Sequence, residues 1–529
     1  MTAPQTRSAS RVWLAIGLLV VSCTGSGSAP QSTINSMFRA RQVLDASLDA
    51  IGPKSARDTL YTIVRAQEFR RISEAQGRTP ASAGDIPGER VSLIDLRGQR
   101  VSETRYLQIT GGQPWGIRTL VTPTGAYFIE LSNGTYRELS GSRDAARAAV
   151  LRRSPESLLL AAATHPQDLR WVGTMTRGGK LCDVILLADA DAVLVTLFVD
   201  RKTHLLEATE FLYDDPFLGD RTLAVEFADY RQVGELHLPF RTVEHGPGVD
   251  RWENRVTSLT LNTQLSDSIF ELPAGLSPAT EPALGSVGPM QLSENVYAVP
   301  GPSASLAVLF RDYALIVEAP QNSRRSEAVI AWVKGLAPTK PIRYLVATHF
   351  HHDHIGGVRP YIALGTIILT TADAKPLIEA AARATHSMRP DRLSANPVAP
   401  RIETVDSQWT IDDGSETMVL RQIGPNPHVD QMLVAYLPRR QIIFESDLLS
   451  TIWGQPVPGG EAASDLEQKL AQRQWPVKWI VAGHGGVPAS IDVLRHALTI
   501  PPRPELCRSS PLRSWGACRR RPEDSTRAP

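Results

Sequence analysis

The chain has 529 residues, 21% of them charged, with a net charge of +1 at neutral pH. That balance excludes a global basic field for nucleic acid or an acidic membrane surface, and at about 150 residues per domain the length allows two or three domains. The four cysteines are scattered, which excludes a disulfide framework.

The first residues differ from the rest. Arg7 and Arg11 precede the apolar run from Val12 to Val21, which is shorter than the roughly 20 residues of a bilayer span but suits the core of an export signal. It ends in Val20-Val21-Ser22-Cys23, which resembles a bacterial lipobox, whose cysteine is acylated and becomes the mature N-terminus. An ordinary export signal cleaved nearby is the other reading. On both readings residues 1–23 direct the protein to the periplasm, free or held to a membrane only through a lipid on Cys23. Residues 24–34, rich in Ser, Gly and Thr, read as a tether.

Residues 35–271 read as one domain. Met37, Val43, Leu44, Leu48 and Ile51 fall on one face of a helix over Ile34 to Ile51. Strand-like segments follow at 59–64, 104–109, 119–131, 184–187, 193–199, 205–212, 223–230, 236–243 and 256–260, with a second helix over Asp144 to Ala163. Many short strands and few helices predict an α+β domain with a curved antiparallel sheet. The stretches from Val199 to Leu206, Phe227 to Val233 and Leu238 to Phe240 resemble the hairpins of periplasmic lipoprotein-carrier-type domains, which implies helices closing the sheet over an apolar cavity. A generic antiparallel scaffold is the alternative. His165, His204, His237 and His245 are widely spread and read as structural or solvated, and Cys182 as a buried free thiol.

A linker rich in Pro, Gly, Ala and Ser covers 272–290. Over residues 291–500 strands alternate with helices. Val296 to Val299, Ser305 to Phe310 and Tyr313 to Glu318 are strand candidates, followed by a helix over Ser323 to Leu336 and a short apolar strand ending at Ala347. There the chain reads Thr348-His349-Phe350-His351-His352-Asp353-His354-Ile355-Gly356-Gly357, which places four metal-ligand types within six residues in a chain holding 12 histidines. His349 and His351 alternate and so share a side, and Asp353 and His354 follow at a turn.

This motif resembles the metallo-β-lactamase superfamily, and the other ligand motifs of that family occur downstream in order. Gly424-Pro425-Asn426-Pro427-His428 precedes a strand over Met432 to Leu437, a hairpin returns through Ile442 to Phe444 to Glu445-Ser446-Asp447, and Trp479 to Gly483 leads to His484. The resemblance implies an αββα sandwich with one metal on His349, His351 and His428, a second on Asp353, His354 and His484, and Asp447 bridging them. His352 is not a ligand. Imidazole and carboxylate without thiolate suit two Zn²⁺, while Fe or Mn fits the same set. Two cations sharing a water bring its pKa towards neutrality and supply hydroxide, with Asp353 also orienting the nucleophile.

The resemblance also narrows the substrate. Aspartate at 447, where β-lactamases of the family carry cysteine or no bridge, disfavours β-lactams, and the short gaps between motifs leave no room for a nuclease insertion. What remains is a metal-dependent hydrolase acting on a small-molecule ester, lactone, thioester or amide, with β-lactamase activity as the alternative. A second alternative is a lipid or lipoprotein carrier with an accessory metal domain. Arg389 and Arg392, in a loop near the site, are candidates to meet an anionic substrate, and Trp453 to line the pocket. The Arg- and Pro-rich tail 501–529, with Cys507 and Cys518, reads as disordered.

Overall fold

The computed structural model describes residues 33–500 except 109–113, 132–133, 140–142, 189–192, 247–249, 279–287, 302, 453, 457–458 and 486. The export signal with Cys23, most of the tether, Trp453, part of the linker and the tail with Cys507 and Cys518 therefore lie outside the described residues. Among the described residues no helix is long and apolar enough to cross a membrane.

The N-terminal part is built on a 14-stranded sheet. Its middle strand, Thr62–Ser73, pairs on one side with Gly84–Asp95 and on the other with Asp250–Leu261, so the region's two ends meet at the sheet's centre. Pairing is antiparallel throughout except where Ser277–Pro278 joins Thr135–Glu138. The helix Thr33–Ile51 covers one face, burying Ala40, Val43, Leu44, Leu48 and Ile51 against Leu158, Leu159, Leu197 and Phe227. The expected helix over Asp144 to Ala163 is two helices, Arg143–Leu151 and Pro155–Thr164. Pro155 has no N–H and suits the first position of the second helix, where none is needed.

Four strands of this sheet escape the pattern reading, Gly84–Asp95, Thr135–Glu138, Arg170–Arg177 and the two-residue Ser277–Pro278. The first contains Gly84, Pro87 and Gly88, residues that mark a loop in a single chain, yet it is paired along its length with Thr62–Ser73. The expected strand over 119–131 is a hairpin of Pro114–Val121 and Ala126–Glu130.

The face under the helices changes character along the strands. One cross-strand row is apolar, running Ile63, Ile94, Val101 and Val121, and the second row beyond it is polar, running Arg65, Ser92, Glu103 and Thr119. A cleft there is lined by Arg65, Arg90, Glu103, Arg153 and Glu244 among others, which is a charged lining where the carrier resemblance implies an apolar one. The charges are paired: Arg65 to Glu156 at 2.5 Å, Arg90 to Glu244 at 2.6 Å and Arg153 to Glu103 at 2.8 Å. Three arginines holding Glu103 keep its carboxyl down at about 2 although burial opposes its ionisation.

The C-terminal part contains two large sheets and a two-stranded one, Thr451–Ile452 with Gln455–Pro456. The 7-stranded sheet runs, in spatial order, Met290–Ser293, Val296–Val299, Ser305–Leu309, Ala314–Val317, Ile342–Val346, Ile367–Thr370 and Arg401–Thr404. The 6-stranded sheet runs Gln408–Asp412, Thr417–Gln422, Leu433–Leu437, Ile442–Glu445, Trp479–Ala482 and Ala489–Ser490. Period-two alternation divides the core. Leu306, Val308, Leu315 and Val317 of one sheet meet Leu433, Ala435, Leu437 and Phe444 of the other. Alternate residues, such as Ala307, Ile316, Val434 and Ile443, face outward onto helices through Val329, Val333, Ile378, Leu466 and Leu494. This is an αββα arrangement of layers. The helix Ser323–Leu336 starts where Asn322 accepts a hydrogen bond from the Arg325 N–H at 3.1 Å, a side-chain cap on the first turn.

The buried Arg65–Glu156 pair yields a stability test. Arg65→Leu leaves Glu156 buried without its partner, and urea unfolding is expected to show a loss of about 3–5 kcal/mol. Arg65→Leu with Glu156→Leu should recover most of it; a double variant as unstable as the single one would show that the unpaired charge is not the cause.

Candidate metal centre

Every ligand candidate lies near the end of a strand, on a loop beside one or, for Asp353 and His354, in the one-turn helix His352–Ile355 that follows. His349, His351, Asp353 and His354 follow Ile342–Val346, Asp447 follows Ile442–Glu445, His484 follows Trp479–Ala482, and His428 precedes Leu433–Leu437. These ends converge at one edge of the sandwich, and the structure brings together all seven residues expected from the sequence. His349, His351, His428 and Asp447 each offer an atom within 4.8 Å of the others, and so do Asp353, His354 and His484.

Asp447 links the two groups. Its Oδ2 lies 3.2 Å from His349 Nε2, 3.4 Å from His428 Nε2 and 2.9 Å from His354 Nε2, and its Oδ1 lies 2.8 Å from His484 Nε2. His351 Nδ1 is 2.9 Å from His428 Nε2. Asp353 Oδ2 stands 3.2 Å from His484 Nε2 and 3.5 Å from His354 Nε2. His349 Nε2, His354 Nε2 and Asp447 Oδ2 are buried and, close as they are, make no aligned hydrogen bond. Buried polar atoms left without partners are costly, and a cation among them would satisfy all three. The donor set therefore fits divalent metals.

Outer contacts fix the imidazoles. Thr348 Oγ1 lies 3.0 Å from His349 Nδ1 and donates to Ser446 Oγ at 3.0 Å, so the ring's Nδ1–H has an acceptor and Nε2 faces the centre. Glu318 holds two partners at once, accepting from the Thr348 N–H at 3.0 Å and standing 2.9 Å from His354 Nδ1. A carboxylate behind a ligating histidine sets its tautomer and raises its basicity. Glu318 has φ +73, a conformation that costs a non-glycine residue about 1–3 kcal/mol. The sequence places Glu318 only at a strand end; an acid closing Ala314–Val317, the strand paired beside the one that leads into the motif, is the signal that could have found it.

The glycine pair after the motif has a steric cause. A Cβ on Gly356 would lie 2.3 Å from the Gln321 carbonyl oxygen, and one on Gly357 would lie 2.2 Å from Ser326 Oγ and 2.8 Å from the Asn322 carbonyl oxygen. The Glu318 to Asn322 segment is thus packed directly against the metal loop, donating hydrogen bonds to it from Ala319 N to His354 O and from Gln321 N to Asp353 O.

His352 points away from the centre, its ring 4.7 Å from that of Phe217. Of the two loop arginines, Arg392 reaches Glu327 at 3.7 Å and Arg389 is exposed. Neither is placed against the ligand group by any contact of the structure. Their neighbour Asp391 is held by Arg359 at 2.6 Å. Cys182 is a buried free thiol, as expected.

The charges divide the centre into two halves. Burial, reinforced by neighbouring imidazoles, keeps His349 well below the ordinary histidine range and His351 down at about 4. His354 goes the other way: burial opposes its charge, but Asp447, Asp353 and Glu318 raise it well above that range. His484, against burial, is raised to about 10 by Asp447 and Asp353. Burial also lifts the Glu445 carboxyl to about 8, which keeps it protonated at neutral pH.

Residues 333–484 match the Metallo-beta-lactamase superfamily. This domain belongs to that superfamily. Similar solved structures include a metallo-beta-lactamase from Pontibacter korlensis, 19% identical over 40% of this chain and 98% of that one with a TM-score of 0.32. Another is the metallo-beta-lactamase FIM-1 from Pseudomonas aeruginosa in the mono-zinc form, 20% identical over 40% of this chain and 93% of that one with a TM-score of 0.29. The superfamily match lies wholly in the C-terminal part, and the carrier resemblance of the N-terminal sheet rests on sequence pattern alone.

In the metal-free protein the imidazolium groups of His354 and His484 balance Asp353 and Asp447. Metal ligation requires neutral imidazole, so uptake at pH 7 must expel those protons. Calorimetry in buffers of different ionisation enthalpy should show net proton release and an affinity that rises with pH, the His484 contribution ending near its value of about 10. Uptake with no proton release would contradict this charge state.

Proposed function

We propose that the protein is an exported two-metal hydrolase that cleaves an ester, lactone, thioester or amide bond in a small molecule. The observation that carries this reading is Asp447, whose two oxygens address different members of the ligand set, Oδ1 towards His484 and Oδ2 towards His349, His428 and His354. Nitrogen and oxygen donors without thiolate favour Zn²⁺, with Fe or Mn as other occupants of the same donors. Bound there, a pair of divalent cations supplies a Lewis acid and acidifies a water.

The side chains supply direction. His349 and His354 are completely buried and His351 nearly so, while Asp353 and His484 side chains retain 45% and 32% exposure. Substrate therefore approaches from the Asp353 and His484 side. Asp353, the most exposed of the acids, would accept a hydrogen bond from the attacking water and hold its lone pair towards the scissile carbonyl. Glu318 and Thr348 keep the rings from turning as charge changes hands, which lowers the reorganisation the reaction requires. An aspartate at 447 in place of cysteine favours esters and related bonds over β-lactams.

Asp447→Ala should lower metal content below two equivalents. It should also lower turnover by at least about 100-fold, beyond the loss of an outer contact, on whichever of nitrocefin, lactones, thioesters and phosphodiesters the metal-loaded protein cleaves fastest. Full metal content and full turnover in that variant would end the two-metal reading. Export rests on residues 1–23. Cys23→Ala is expected to abolish palmitate labelling and release the protein from the membrane fraction, and unchanged labelling would exclude Cys23 as the anchor.

A further inference from the structure

The metal loop is gripped by the N-terminal sheet at two adjacent residues. The hairpin joining Thr62–Ser73 to Gly84–Asp95 reaches the centre through Gly77 and Arg78. His351 Nε2 lies 2.9 Å from the Gly77 carbonyl oxygen. A carbonyl can only accept, so Nε2 carries the proton and Nδ1, which faces His428, is left as the ligand atom. The next residue clamps the other side of the same half: the Asp430 N–H donates to the Arg78 carbonyl oxygen at 2.9 Å, and the Arg78 guanidinium donates to Asp430 Oδ1 at 2.8 Å. Asp430 is two residues beyond His428. One short stretch of the sheet thus touches one metal-binding histidine directly and is tied to the loop carrying a second.

The second hairpin, between Leu206–Asp215 and Gly219–Val233, holds the neighbouring position. Phe217 is buried in the C-terminal core with Ala319 and Phe350, and its ring stands against His352. Asp215 Oδ1 accepts from the N–H groups of Phe217 and Leu218 at 2.9 and 2.8 Å, which fixes the turn that presents Phe217. The same hairpin is fastened through Asp220, which accepts from the Ser387 N–H at 2.7 Å, and Asp214, 3.0 Å from His386 Nδ1.

From these contacts we infer that the N-terminal domain completes the metal centre: the Gly77 carbonyl is an outer-shell partner of His351 and sets the affinity of the His349, His351 and His428 half, while the Asp353, His354 and His484 half is supported by Glu318 from within its own domain. Gly77 is a positioning residue. The inference rests on the metal-centre reading and adds to it that the first half draws outer contacts from both domains, through Gly77 and Thr348, and the second from Glu318 of its own domain.

Gly77→Ala tests it in the full chain. A Cβ at this position would lie 2.4 Å from Ser82 Oγ and 2.9 Å from the Ser82 carbonyl oxygen, so the loop must shift and carry the carbonyl off His351. Competition with a chromophoric chelator should show one of two zinc ions bound about 10–100-fold more weakly, the other unchanged, and the unfolding midpoint of the metal-free protein unaltered. A merely structural role would move the midpoint and both affinities together, and that result overturns the inference. The unmutated protein provides a second measurement that does not depend on the variant folding. In its zinc-loaded form, nitrogen-resolved NMR of labelled histidine should place a slowly exchanging proton on His351 Nε2. A His351 bound through Nε2, or an Nε2 proton exchanging at the solvent rate, overturns the inference. Wild-type protein that takes up no zinc overturns the metal-centre reading and this one with it, whereas two zinc ions with unchanged affinities in Gly77→Ala overturn only the role of Gly77.

Discussion

The constraint on which the rest of the C-terminal domain depends is a buried anion. Asp447 is enclosed by His349, His354, His428 and His484, and an ionised carboxylate taken out of water is tolerated only with compensating positive charge and hydrogen bonds. Four imidazoles around one carboxylate can compensate in two ways. Protons on His354 and His484 are one, and cations between the rings are the other. The two are mutually exclusive at each nitrogen, which couples metal content to pH. The neighbouring Glu445 stays protonated because it is buried, with the charge of Asp447 adding to the effect, and its Oε2 accepts the Leu448 and Leu449 N–H groups that begin the loop after Asp447.

That anion explains the architecture around it. Each ligand must arrive from a rigid element, and strand ends provide that because their backbone is fixed by pairing on both sides. Ile442–Glu445, for instance, is held between Leu433–Leu437 and Trp479–Ala482. The strained backbone at Glu318 belongs to the same logic. Its N–H is bound to the Val346 carbonyl at 2.8 Å and its carboxylate to Thr348 and His354, so the strain persists because three contacts hold the residue there. A site whose outer shell is held this firmly keeps its geometry when the ion's charge or coordination changes.

How much of this was legible in the sequence follows from the range of each interaction. The motif from His349 to His354 is local and could be read directly, as could the helix Ser323–Leu336, whose period and bounds agree with its pattern. His428, Asp447 and His484 were legible through the family resemblance, which expects ligands before the strand Leu433–Leu437 and after the strands Ile442–Glu445 and Trp479–Ala482. The helix Gly460–Arg473 was missed, and so was the strand Gly84–Asp95, whose Pro87 and glycines indicate a loop until the partner strand is known. There tertiary pairing overrides local preference. The Pro155 break was legible in principle, since proline cannot continue a preceding helix.

Gly77 could not have been read at all. Its contribution is a backbone carbonyl, which every residue possesses, delivered across 274 positions of chain to His351. No residue type marks such a group. What makes it available is the long pairing of Thr62–Ser73 with Gly84–Asp95, which projects the hairpin beyond the sheet as a stiff arm, while the paired charges of Arg65, Arg90 and Arg153 occupy the face beneath the helices. A sheet filled in this way resists deformation more than an open apolar cup would, because separating any of those pairs leaves a charge buried alone. That rigidity is what a distant arm needs if it is to hold a histidine in one tautomer, so the charged interior of the N-terminal domain and the geometry of the metal loop follow from the same requirement.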